Sequence, residues 1–184
     1  MMRIGVMRVA VGVVMAGGML SGVAFGQTAT PAPGPAGEVQ RSYASQKDNL
    51  LKAAEKMPAD QYQYKPTPEL RTFARVVNHV TEAQAKVCGA VNGTPAADQM
   101  KPPADTADKA AVIAGLKASF AECDKAYGAT TDGNFTEMLA APFGPGKRTR
   151  AGLLWGNVSH DNEQYSGMSL YLRLKGITPP TAEK

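Results

Sequence analysis

Residues 149–180 read TRAGLLWGNVSHDNEQYSGMSLYLRLKGITPP. Leu154, Val158, Tyr165, Met168 and Leu172 recur at intervals of three, four and seven, so the stretch predicts one long helix. It begins after Thr149, continues to Lys175, and is closed by Gly176 with Pro179 and Pro180 beyond it. A second row, Leu153, Asn157, His160, Gln164 and Tyr171, lies turned by roughly 80° from the first at 3.6 residues per turn. A helix buried over so broad an arc must touch two neighbours, which is the situation in a bundle.

Three earlier segments supply those neighbours. From Glu38 to about Lys56, Val39, Tyr43, Leu50 and Ala54 mark one face, and Pro58 supplies a stop. A second helix is predicted to open at Thr67-Pro68-Glu69 and run to about Val91, with Phe73, Val77, Val80, Gln84 and Val87 on one face and Asn92-Gly93 as terminator. The third starts at Asp105 or Thr106, carries Ile113, Leu116, Phe120, Cys123 and Tyr127, and ends at Gly128. Residues 129–148 read as irregular, with a short helical turn expected around Glu137 to Ala140, and no strand pattern stands out. The fold class expected is all-α.

Ahead of these segments, Met1 to Arg8 is a short basic start, Val9 to Phe25 is almost wholly apolar, and Ala24-Phe25-Gly26 offers small residues where a signal peptidase cuts. Residues 1–26 are therefore expected to be a signal peptide, which implies a periplasmic or secreted protein with no stable membrane insertion after cleavage. The apolar run is short and glycine-rich for a retained span. Residues 27–37, QTATPAPGPAG, read as a flexible linker, and 38–180 as the folded domain.

The chain has 184 residues, 20 Lys and Arg against 16 Asp and Glu; losing Arg3 and Arg8 brings its net charge from +4 to about +2. One core suffices for that length. Lys147, Arg148 and Arg150 form the densest basic cluster, without interleaved aromatics, and read as a solvated loop; no nucleic-acid partner is expected. No Gly-x-Ser-x-Gly elbow or phosphate-binding glycine loop is present.

The segments QYQYKPTPELRTFARVVNHVTEAQAKVC (61–88) and SHDNEQYSGMSLYLRLKGITPP (159–180) resemble the two signature regions of DinB-like proteins, particularly an exported bacterial group. The resemblance covers about Glu38 to Pro180. It implies a four-helix bundle of up-down-down-up topology and a divalent metal held by one histidine on the second helix and a His-x-x-x-His pair on the fourth. Characterised relatives of this kind include thiol-dependent transferases and isomerases. Carried over, the metal ligands fall on His79 and His160, while the third falls on Gln164.

That departure weakens any Zn, Ni or Fe site, because a neutral amide oxygen is a much poorer donor than imidazole. His79 and His160 are the only histidines in the chain. His160 and Gln164, at i and i+4, share a side of their helix. Glu163 is an alternative third ligand, and Asn157 and Asp161 are candidates to orient His160. Two partly buried histidines with ordinary hydrogen bonds are the competing reading. Cys88 and Cys123 are expected to pair, since both lie late in their helices and parallel second and third helices bring them level. Two function classes stay open: a metal-assisted hydrolase or thiol-transferase, and a non-catalytic bundle that binds a small molecule with its metal site lost.

Overall fold

A computed structural model of the protein describes residues 33–183; the expected signal peptide and most of the linker lie outside them. Four helices carry the fold: α1 (Gly34–Lys56), α2 (Phe73–Asn92), α3 (Lys109–Gly128) and α4 (Arg150–Leu174).

The first helix starts four residues before the expected Glu38. Pro33 precedes it, and the Ala36 amide donates to the Asp132 carboxylate at 2.8 Å, so a distant loop supplies the acceptor that the first turn needs. Gly34 makes this approach feasible: its φ is +76°, and a Cβ there would stand 2.1 Å from an Asp132 oxygen. Ala36 and Val39 are thereby buried.

Helix α2 starts at Phe73, not in the Thr67-Pro68-Glu69 segment. Thr72 is the cap, accepting from the Arg75 amide at 3.1 Å, and the Phe73 and Ala74 amides donate to the carbonyls of Tyr64 and Tyr62. Residues 67–70 instead form a turn closed by Leu70 N–H to Thr67 C=O. Gly93, at φ +75°, terminates α2 in the left-handed conformation. Asp108 caps α3 and Thr149 caps α4, each through its side-chain oxygen.

The order of cross-helix contacts gives the topology. Gln84 meets Ser119 and Cys88 meets Cys123, so α2 and α3 run parallel. Tyr43 meets Asp124 while Glu55 meets Lys117, so α1 and α3 are antiparallel. Tyr171 bonds to Arg71 and His160 to His79, making α2 and α4 antiparallel. The result is the up-down-down-up bundle. Its core includes Val39, Leu50, Phe73, Val77, Val80, Leu116, Phe120, Leu154, Met168 and Leu172. Tyr43 and Tyr127 stack across it with ring centres 3.9 Å apart.

The Cys88–Cys123 disulfide is formed, with the Cα atoms 5.0 Å apart. Residues 129–149 hold one departure from the all-helical expectation. Met138–Ala140 (β1) and Lys147–Thr149 (β2) make a small antiparallel hairpin where a helical turn was expected. Strands of three residues are too short to show an alternating pattern in sequence. The hairpin leads directly into α4 through Arg150, which is buried and ion-paired with Glu137 at 2.5 Å.

Candidate functional site

The long, capped helices α2 and α4 cross so that the two histidines face each other. Nε2 of His79 and Nε2 of His160 are 3.2 Å apart, with the rings nearly perpendicular. Both side chains are half-buried, and neither Nδ1 atom has a hydrogen-bond partner among the described residues. Burial is the main influence on His79, with Arg71 and His160 adding to it, and it holds the imidazole below its ordinary pKa. The neutral ring that results keeps a lone pair for a proton or a metal.

The pair forms the floor of a cavity of about 370 Å³. Its α2 wall is His79, Glu82, Ala83, Lys86 and Val87; its α4 wall is Leu153, Gly156, Asn157 and His160; Pro142, Phe143 and Arg148 of the hairpin region cover it. Glu82 is tied to Lys86 at 2.9 Å and to Arg75 at 3.4 Å, and the Lys86 hydrogen bond chiefly holds its carboxyl below the usual range.

Behind the histidines is a buried polar chain. Asp161 is fully buried and accepts from Gln84 at 3.1 Å and Asn157 at 3.2 Å; Ser119 donates to the Gln84 side-chain oxygen Oε1 at 2.6 Å. Burial raises the Asp161 carboxyl above its ordinary range, with the surrounding donors opposing that rise. The second Asp161 oxygen is 3.9 Å from His160 Nδ1, too long for a hydrogen bond, and neither atom has another partner. Asn157 and Asp161 therefore stand beside His160 as interior groups, not as polar residues of the helix surface.

The remaining candidates sit elsewhere. Gln164 is half-buried, one turn beyond His160, and does not line the cavity; Glu163 is exposed. Two imidazoles bound to one ion at 2.0–2.1 Å stand about 3 Å apart, so the histidine pair fits two coordination positions. Among the described residues no group of three or more His, Cys, Asp and Glu side chains could hold a metal. Among the described residues the cavity thus offers the two imidazoles as metal donors. Phe143 and Arg148 were not legible as site residues, because an exposed loop aromatic and a charged strand carry no periodic signal, and only the tertiary fold brings them to α2 and α4; Lys86, on α2, reads in sequence as an ordinary solvent-facing lysine.

The sequence profile of the DinB superfamily matches residues 42–166. Among curated proteins none matches the sequence. Solved structures share the fold: a DinB-like protein from Bacillus cereus superposes with a TM-score of 0.63 at 16% identity, covering 77% of this chain and 93% of that one. A DinB-like protein from Bacillus subtilis gives 0.62 at 18% identity with the same coverage. A mycothiol-dependent maleylpyruvate isomerase gives 0.60 at 11% identity, covering 73% of this chain and 60% of that one.

Proposed function

The chain belongs to the DinB superfamily, and from that premise we propose that it is an exported domain that binds a small molecule in the cavity floored by His79 and His160. The observation that carries the reading is the convergence of the chain's only two histidines, from different helices, to 3.2 Å. Unrelated histidines satisfied separately have no reason to meet beneath a cavity with both Nδ1 atoms unpaired. Export is supported by the residue 1–26 pattern and by the disulfide, which suits an oxidising compartment. Among the described residues no helix is long and apolar enough to cross a membrane.

His79 and His160 would hold a divalent ion such as Zn, Ni or Fe, weakly, because two protein donors leave most of its coordination shell to solvent or ligand. A bound ion would lower the pKa of a ligand thiol or water, which is the chemistry a thiol-transferase or hydrolase needs. The mycothiol-dependent isomerase with the same fold makes the thiol class the more natural of the two. Gln164 stands where the family pattern carries its third histidine, one turn beyond His160, and a histidine there would supply the donor that the pair lacks. The second reading, a metal-free binding domain, is supported by there being no group of three His, Cys, Asp or Glu side chains that could hold a metal among the described residues.

Calorimetric titration of untagged protein with Zn(II) at neutral pH separates the two. The metal reading expects weak binding that His160→Ala abolishes and Gln164→His tightens by about tenfold or more. Absence of binding in both the parent and Gln164→His makes the metal-free reading the correct one.

A further inference from the structure

The cavity also carries an uncompensated positive charge, and its position defines what kind of molecule the cavity takes. Three of its lining groups bear fixed charge: Glu82, Lys86 and Arg148. Glu82 and Lys86 are paired with each other. Arg148 donates to the Gly152 carbonyl at 3.1 Å and has no carboxylate partner among the described residues. The third residue of the sequence-level basic cluster, Arg150, is turned away into its ion pair with Glu137. The hairpin therefore divides the cluster and leaves one guanidinium at the cavity.

Glycines on α4 make room for it. A Cβ at Gly152 would stand 3.6 Å from a terminal nitrogen of Arg148, and one at Gly156 would stand 3.7 Å from the other. The two glycines are one turn apart, and the guanidinium lies alongside the helix surface that they leave bare. Glycine in a helix interior costs about 1 kcal/mol relative to alanine. Here it permits a charged group to lie close to the helix.

Resting on the reading of the cavity as a ligand site, we infer that it binds a compact carboxylate with an apolar body, Arg148 holding the carboxylate and Val87, Leu153 and Phe143 covering the rest. A guanidinium presents paired donors that match the two oxygens of a carboxylate. Gly156 precedes His160 by four residues, a rise of roughly 6 Å along α4 at 1.5 Å per residue. The ligand's charged end and the end that meets the histidines are therefore separated by about the length of a three- or four-carbon chain. A cationic ligand would meet Arg148 as a like charge.

The test compares phenylpropionate with phenylpropanol, which share an apolar body and differ in charge, by following the ring resonances of His79 and His160 in disulfide-intact protein. The acid should bind about tenfold or more tightly than the alcohol. Arg148→Gln should erase that preference, bringing binding of the acid down to that of the alcohol, and Arg148→Lys should restore part of it. Should Arg148→Gln fold poorly, the wild-type preference must still shrink as salt is raised. Equal binding of acid and alcohol, or a preference that survives Arg148→Gln, overturns the carboxylate assignment alone. If neither probe moves the histidine resonances, the cavity reading falls and the assignment with it.

Discussion

Asp161 follows His160 directly and is fully buried, yet its sequence context is that of any polar residue on a helix. Its two donors, Gln84 and Asn157, are themselves buried, so their amides depend on it. Asp161→Leu leaves both without that acceptor and should cost about 1–3 kcal/mol per stranded donor. Asp161→Asn keeps an acceptor and removes a carboxylate whose charge is expensive to bury, so it should change stability by less than about 1 kcal/mol. Chemical denaturation of the two variants checks this ordering; equal losses would show that the acceptor is not what matters. His79 and His160 were readable as candidates because the chain has only two histidines and both fall at helical positions. Their 3.2 Å meeting and the unpaired Nδ1 atoms depend on how α2 and α4 cross, which no local pattern encodes.

The helices themselves were largely legible, since an apolar period over twenty or more residues is a strong local signal. Their ends were less so. Tyr62 and Tyr64 carbonyls capture the first amides of α2 and delay its start to Phe73, an effect of the preceding loop folding back that the Thr-Pro-Glu signature does not reveal. Asp132 extends α1 to Gly34 in the same way, from 96 residues beyond Ala36. The disulfide was readable because equal depth in parallel helices is a question of rise per residue. Closing a 35-residue separation, it should stabilise the fold by about 3–4 kcal/mol on chain-entropy grounds. A Cys88→Ser/Cys123→Ser double variant measured by urea denaturation should lose that amount, and the parent under reductant should match it. A loss near zero would mean that α2 and α3 stay equally well aligned without the bond.

For the whole molecule, the proposed export implies removal of residues 1–26 and oxidation of the cysteine pair in the folded bundle. Intact mass of protein recovered from the periplasm or medium should correspond to a chain beginning at Gln27; full-length chain retained in the membrane fraction would contradict export with cleavage. The topology followed from the signature segments and the cysteine pair, whereas the cavity's cover did not, because Phe143 and Arg148 belong to a hairpin whose strands are too short to announce themselves. All of this architecture bears on one claim, that His79 and His160 act as a unit. Because the chain contains no other histidine, ring spectra of untagged protein during Zn(II) addition report on that claim without assignment ambiguity. Both rings should shift together along a single saturation curve, and His160→Ala should make His79 unresponsive over the same range of Zn(II). Independent responses of the two rings, or an unaltered His79 response in His160→Ala, would contradict the account.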